Sequence, residues 1–180
     1  MSRPPRPVAP GADGPVEGAR LPFDPMEEAA RQWSYRWDEL PRMRAVTSLM
    51  RVHQLVLSEL DERLRPLGLT FARYEVLVLL SFSRRGSLPL GKIGERLQVH
   101  ATSVTPLVKR LEAAELIRRT PHPEDGRAVL AWITPRGREV MEQATQVILA
   151  ARFALGSLTD EQCDTLTDLL KPPRSAAGDF

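Results

Sequence analysis

The stretch ELIRRTPHPEDGRAVLAWITPRGREV, residues 115–140, decides the fold of this chain. An apolar pair leads into two arginines, a loop of proline, aspartate and glycine follows, and a second strand-like run covers residues 128–133. This order of residues is typical of a β-hairpin with a charged tip. Thr134-Pro135 then has the pattern of a helix start, because threonine can cap a first turn and proline is tolerated at the first helical position.

Two short helices are predicted immediately before the hairpin, over residues 90–98 and 100–114. Their apolar positions recur at helical spacing, and Gly94 provides a small residue where two helices must cross closely. This spacing is typical of a helix-turn-helix. A helix-turn-helix followed by a β-hairpin predicts a winged helix, in which residues 100–114 form the recognition helix.

Further helices are predicted on both sides of the winged helix. The signals include Asp24-Pro25 as a helix start, with Trp37 in that helix, Thr70 as the cap of an apolar helix, and a helix from Thr134-Pro135 to about Leu155. The fold class is therefore mainly α with a small β-wing, a winged helix-turn-helix core flanked by N- and C-terminal dimerisation helices. The predicted segments are a disordered Pro/Gly-rich tail (1–23), N-terminal helices on the dimerisation and ligand side (24–66), the winged helix-turn-helix (67–134), C-terminal dimerisation helices (135–171) and a flexible tail (172–180).

The terminal helices carry apolar faces for which a single chain of 180 residues offers little cover. A second copy of the chain is the natural partner. We expect these apolar residues to contribute to that interface: Val140, Met141, Val147, Ile148, Leu158, Leu166 and Leu169.

The charge of the chain is uneven. The net charge is +2, yet residues 84–138 hold eleven Lys and Arg against five acids, which leaves the rest of the chain acidic. Such a patch is expected where a protein binds phosphates, although a solvated basic face without a partner is the alternative. The single cysteine, Cys163, excludes an internal disulfide, which fits a reducing cytoplasm, and no apolar run is long enough for a membrane span.

The first turns of the recognition helix offer polar side chains for the major groove of DNA. His100, Thr102, Ser103 and Thr105 are the candidates for base or phosphate contact, and helix capping is the alternative role for Thr102 and Ser103. Lys109, two turns further on, is better placed for phosphate. At the wing tip, Arg127 is the candidate for a minor groove, with Asp125 orienting it. Arg118 and Arg119 alternate on the two faces of a strand, so only one can face DNA, and we assign Arg119.

These motifs resemble the MarR family of bacterial regulators, in an actinobacterial-type member with an extra N-terminal helix. Asp125-Gly126-Arg127 matches the family's wing signature, Ile133-Thr134-Pro135-Arg136-Gly137-Arg138 matches its strand-to-helix junction, and Gly68-Leu69-Thr70 fits as well. The resemblance covers about Pro41 to Lys171. Two residues depart from the pattern: Pro106 falls inside the recognition helix, and Glu115 stands where the family usually has glycine.

The resemblance implies a homodimer that binds a pseudo-palindromic operator in double-stranded DNA, and we expect a cytoplasmic repressor. A small phenolic or carboxylate effector would release the DNA from a site between the dimerisation helices and the winged helix. Candidate ligand residues are Trp37, His53, Arg73 and Tyr74. We expect no cofactor, no metal, no membrane association and no catalysis, since the chain lacks a GxSxG, HExxH, CxxC or phosphate-loop motif.

Two other classes of function stay open at this point. One is a winged helix that binds proteins, with Pro106 marking a loss of DNA reading; the basic central segment argues against it. The other is an enzyme built on this scaffold, for which no catalytic constellation is present. Salt-dependent binding to a duplex separates DNA recognition from both.

Overall fold

A computed structural model describes residues 21–123 and 128–180. The described part of the chain divides into two compact units, with the boundary between Arg51 and Val52. The elements are, in order, α1 (Pro25–Ser34), α2 (Leu40–Leu64), a 3-10 turn (Arg65–Leu67), α3 (Phe71–Phe82), β1 (Ser87–Pro89), α4 (Leu90–Leu97), α5 (Ala101–Ala113), β2 (Ile117–Pro121), β3 (Val129–Ile133), α6 (Pro135–Ala150), a second 3-10 turn (Arg152–Ala154) and α7 (Asp160–Ala176). The predicted fold class, mainly α with a small β-wing, is confirmed.

Helix α1 begins as predicted but ends earlier. The Asp24 carboxylate accepts a hydrogen bond from the Met26 amide at 2.8 Å, and Pro25 follows at the first helical position. The helix ends at Ser34, so Trp37 lies beyond it rather than within it. The Trp33 indole N–H donates to the Asp38 carbonyl at 2.7 Å and holds the chain in a turn there.

The C-terminal turns of α2 belong with the core of the second unit. Leu60 and Leu64 are 1% and 0% exposed and lie in the same apolar cluster as α3. The second unit therefore begins at Val52, whereas the sequence pattern placed this boundary at residue 66. The difference arises because the pattern locates where a helix ends, while the packing shows which core its residues join.

Helix α3 begins at the predicted residue through a different contact. Thr70 occupies the N-cap position, but its side chain makes no capping bond. The Asp61 carboxylate instead accepts a hydrogen bond from the Phe71 amide at 2.7 Å. Asp61 lies ten residues earlier, on α2, so this cap depends on tertiary structure.

The sheet has three antiparallel strands in the order β1-β3-β2. The predicted hairpin forms β2 and β3, with Ile117 opposite Ile133 and Arg118 opposite Trp132. Strand β1 was not predicted, because a strand of three residues that includes Pro89 shows no alternating pattern.

The C-terminal helices differ from expectation in two places. Helix α6 ends at Ala150 rather than near Leu155, since Phe153 in the following turn has φ +52°. Helix α7 continues through Pro172 to Ala176, so residues 172–176 are helical and not a flexible tail. Proline in a helix interior costs backbone hydrogen bonds, but it does not force the helix to end.

The apolar residues of α6 pack mostly within the chain. Ile148 is fully buried, and Val140 and Met141 pack against the core. Ile148 is therefore not available for the expected dimer interface, whereas Val140 and Met141 are only half-buried. Leu169 of α7, in contrast, is 69% exposed.

Candidate nucleic-acid interface

Helix α5 presents one apolar face to the core and one hydroxyl-rich face to solvent. Val104 and Val108 are buried, which fixes the rotation of the helix about its axis. Thr102, Ser103 and Thr105 are exposed as a consequence. A recognition helix needs this arrangement, because its free face must enter the major groove.

His100 caps the N-terminus of α5. Its Nδ1 atom accepts a hydrogen bond from the Thr102 amide at 3.3 Å and lies 2.8 Å from the Thr102 hydroxyl. The sequence pattern allowed a capping role for Thr102 and Ser103, but it did not predict the cap that His100 forms. The cap holds His100 and Thr102 together at the start of the helix, while Ser103 and Thr105 lie on the next exposed positions.

Pro106 lies at the sixth position of α5, as predicted, and its ring is exposed. The helix runs from Ala101 to Ala113 across this residue. Lys109 follows three residues later and is also exposed. The hydroxyls of the first turns and the Lys109 ammonium therefore belong to one helix.

A tight junction joins α5 to β2. Glu115 has φ +59°, a left-handed conformation that glycine adopts most readily. The Leu116 amide donates to the Leu111 carbonyl at 3.0 Å, and the Thr134 hydroxyl donates to the Glu115 carbonyl at 2.8 Å. A non-glycine residue is held in this conformation because hydrogen bonds on both sides fix the backbone.

The two arginines of β2 make different contacts. Arg119 forms an ion pair with Glu112 of α5, with its Nε 2.6 Å and its Nη2 2.5 Å from Glu112 Oε2. The hydrogen bond from Arg119 lowers the pKa of the Glu112 carboxyl, and the same bond raises the pKa of the Arg119 guanidinium. Arg118, on the other face of the strand, lies 4.8 Å above the ring of Trp132. The predicted wing-tip residues Asp125 and Arg127 lie outside the described residues.

The predicted ligand residues occupy different environments. Trp37 is exposed and its ring centre lies 4.9 Å from that of Trp33. His53 is exposed, and Arg73 donates from Nε to the Thr70 hydroxyl at 3.2 Å.

Tyr74 is buried, and its hydroxyl lies 3.0 Å from the Thr145 hydroxyl of α6. It lines a mainly apolar cavity of about 250 Å³ between α3 and α6, which His53 and Arg73 do not line. The other lining residues are Val78, Ser81, Phe82, Met141, Glu142, Thr145 and Gln146.

Two kinds of feature are absent from the part of the chain that the structure describes. In residues 21–123 and 128–180, no helix is long and apolar enough to cross a membrane. Within the same ranges, no group of three or more His, Cys, Asp and Glu side chains is arranged to hold a metal ion.

Comparisons with known proteins agree on one family. The MarR family model matches residues 69–129. The transcriptional repressor MdtR of Bacillus subtilis is 33% identical over 117 residues, which is 64% of this chain and 74% of that protein. The family and this relative are transcriptional regulators and not enzymes.

Solved structures lead to the same family. Sco5413, a MarR family transcriptional regulator from Streptomyces coelicolor, is 52% identical, with a TM-score of 0.73 over 78% of this chain and 97% of that one. A mutant MarR from E. coli complexed with operator DNA is 27% identical, with a TM-score of 0.64 over 76% of this chain and 98% of that one. The chain belongs to the MarR family of DNA-binding transcriptional regulators.

Proposed function

We propose that the protein is a cytoplasmic repressor that binds a pseudo-palindromic operator as a homodimer and releases it when a small ligand binds. The observation that carries the DNA-reading part is the free face of α5. Thr102, Ser103 and Thr105 are exposed on its first turns, while Val104 and Val108 anchor the opposite face. Hydroxyls at this position can donate to and accept from base edges or phosphates.

Each predicted DNA-binding residue has a role in this proposal. His100 fixes the first turn of α5, so that Thr102, Ser103 and Thr105 reach the groove, and Lys109 contacts phosphate. Arg127 enters the minor groove next to the recognition site, with Asp125 orienting its guanidinium. Arg119 is the arginine of β2 that the sequence assigns to DNA contact, and its ion pair with Glu112 favours a different role.

The homodimer is supported by the apolar surface of α2. This helix exposes six large apolar side chains, an unusual number for one helix in water: Val46, Leu49, Met50, Val52, Leu55 and Leu57. A symmetric dimer repeats the recognition helix about a two-fold axis, which is the geometry that a palindromic operator requires.

Ligand control is supported by the cavity next to Tyr74. Its volume of about 250 Å³ lies just below the range of roughly 300–1,000 Å³ that is common for ligand sites. A molecule with a single ring fits this size. The cavity lies between α3 of the winged helix and α6, so an occupant would push on both.

The ligand part of the proposal is tested with salicylate, a phenolic carboxylate. We expect salicylate to lower the affinity of the native protein for duplex DNA and to have less effect on Val78→Phe, whose larger side chain fills the cavity. Val78 is only half-buried, so the variant should fold. Equal responses of the two proteins would place the ligand site elsewhere.

The DNA-binding part is tested with Arg127→Ala. We expect weaker duplex binding with fold and dimer intact, and a salt slope smaller by about one unit, since one phosphate or groove contact is lost. Arg63→Ala is the control, because Arg63 only pairs with Glu59 along α2 at 2.8 Å. If Arg127→Ala kept the native affinity and slope, the wing would not contact DNA.

A further inference from the structure

We propose that Glu112 and Arg119 form a brace between the recognition helix and the wing, and that Arg119 is a positioning residue rather than a phosphate contact. The proposal rests on the DNA binding by α5 and the wing described above. It assigns a function to Glu112, which the sequence pattern did not single out.

The pair joins two elements that both belong to the DNA-binding surface. Glu112 is the last residue but one of α5, and Arg119 is the third residue of β2. Two nitrogens of Arg119, Nε and Nη2, approach the same oxygen of Glu112 at 2.6 and 2.5 Å. Both side chains are about one-third exposed, at 33% and 35%, so the pair is partly shielded from water.

The geometry of the junction explains why a brace is useful. Only three residues, Ala114 to Leu116, separate α5 from β2, and the hydrogen bond from the Leu116 amide to the Leu111 carbonyl fixes this turn. The turn fixes the start of β2 relative to α5, and the rest of the strand is held in the sheet by its pairing with β3. The Glu112–Arg119 pair adds a second point of attachment further along the strand and so sets the angle between wing and helix.

The same contacts argue against a direct role for Arg119 at phosphate. Its charge is already balanced by the Glu112 carboxylate, and a phosphate would have to displace that partner. A neutral pair releases few counterions, so it should contribute little to the salt dependence of binding. Arg118 does not replace it, because it lies on the opposite face of β2 and stacks on Trp132, whose indole N–H donates to the Thr120 hydroxyl at 2.8 Å.

A double-mutant cycle tests the brace. Glu112→Gln and Arg119→Gln should each lower duplex affinity by about three- to fivefold, the upper part of the range for a partly exposed pair. Both should leave the salt slope unchanged, and the double variant should bind no worse than either single variant. If Arg119 contacts phosphate, Glu112→Gln should instead raise the affinity, since it frees the guanidinium, and Arg119→Gln should reduce the slope. That result would overturn the proposal.

The charge swap gives the sharpest comparison. The Glu112→Arg/Arg119→Glu variant should regain most of the affinity that either single reversal loses, because the brace is rebuilt with its charges exchanged. A direct contact would not be regained, because a glutamate at position 119 would repel phosphate. The matched control is the swap of Glu59 and Arg63, a pair within α2 that connects no two elements, and it should not change affinity.

Hydrogen exchange in the free protein makes the brace testable without DNA. Glu112→Gln should speed exchange of the β2 amides and leave those of α3 unchanged, since the wing alone loses an attachment. Equal exchange in the native protein and the variant would refute the brace even if the chain bound no duplex. If the native protein binds no duplex but Glu112→Gln still speeds exchange of the β2 amides, only the proposed function is refuted.

Discussion

Among the described glycines, Gly137 has the least space for a side chain. A Cβ atom there would lie 2.0 Å from the Leu116 carbonyl oxygen and 3.0 Å from Ile133. The glycine thus lets the first turn of α6 pack directly on the end of the α5–β2 junction. The conformational freedom of glycine plays no part here, since only the missing side chain matters.

We expect Gly137→Ala to destabilise the fold by about 3 kcal/mol, the upper part of the range for overpacking, because the obstructing atom belongs to the backbone. Gly91→Ala is the control, since an added Cβ in α4 would meet no atom within 4 Å beyond its chain neighbours and the backbone of its own helix. It should be neutral or stabilising by up to about 1 kcal/mol. Urea denaturation of the three proteins measures both effects, and similar midpoints for the two variants would contradict the packing argument.

Pro106 is the second residue with a separate prediction. Its ring lacks the N–H that would bond the Thr102 carbonyl, and it is exposed, so nothing in the core requires it. Pro106→Ala should raise the melting temperature, since it restores a hydrogen bond and removes a steric clash worth up to about 3 kcal/mol. It should also shift operator preference by re-aiming the first turn of α5.

Thermal melts and a selection of bound duplexes measure the two effects of Pro106→Ala separately. A lower melting temperature would mean that the proline fits its backbone without strain. Identical preferred sites for both proteins would limit the role of Pro106 to stability.

At the scale of elements, Thr134 links the end of β3 to the α5–β2 junction and to α6. The Thr134 hydroxyl accepts from the Gly137 amide at 2.9 Å as the cap of α6. It also lies within hydrogen-bond distance of the Glu115 carbonyl, at 2.8 Å, and the Leu116 carbonyl, at 3.1 Å. The α5–β2 junction, the residue after β3 and the first turn of α6 therefore meet at a single side chain.

We expect Thr134→Ala to cost about 1–2 kcal/mol of stability, as for other lost N-caps, and to weaken DNA binding because the α5–β2 junction loosens. Thr167→Ala is the control. Its hydroxyl bonds the Cys163 carbonyl inside α7 at 2.9 Å, on the exposed surface. Such bonds within a helix contribute little, so that variant should melt like the native protein. A similar loss in both variants would argue against the special role of the junction.

At the scale of the whole molecule, the dimer is the main expectation. We expect deletion of everything after Leu158 to give monomers that no longer hold a palindromic site, because α7 is removed from the proposed interface. Sedimentation measures the oligomeric state, and a deletion variant that stays dimeric would contradict this expectation.

A substitution on α2 separates the contributions of the two chain ends. Leu55 is 51% exposed, and Leu55→Glu should also weaken the dimer if α2 lies in the interface. Glu62→Lys, on the same helix, is a control that changes charge at an exposed polar position. If only the deletion gave monomers, α7 alone would hold the two copies together.

The sequence by itself determined the order and type of most elements. The features that depend on neighbours within a few residues are the hairpin, both helices of the helix-turn-helix, and the caps at Asp24 and Thr134. Local hydrogen bonds and hydrophobic periodicity act over this range, which is why a linear pattern reveals them. The exposed hydroxyl face of α5 followed from the same periodicity.

Tertiary structure alone decided the contacts between distant residues. Asp61 caps α3 from another helix, β1 forms only because β3 offers an unpaired edge, and Ile148 is buried although the pattern left it free. Whether Arg118 or Arg119 forms an ion pair depended in the same way on which side of β2 faces Glu112 of α5. A sequence pattern states that two side chains lie on opposite faces of a strand, but the partner that each face meets is set by the packing of elements far apart in the chain.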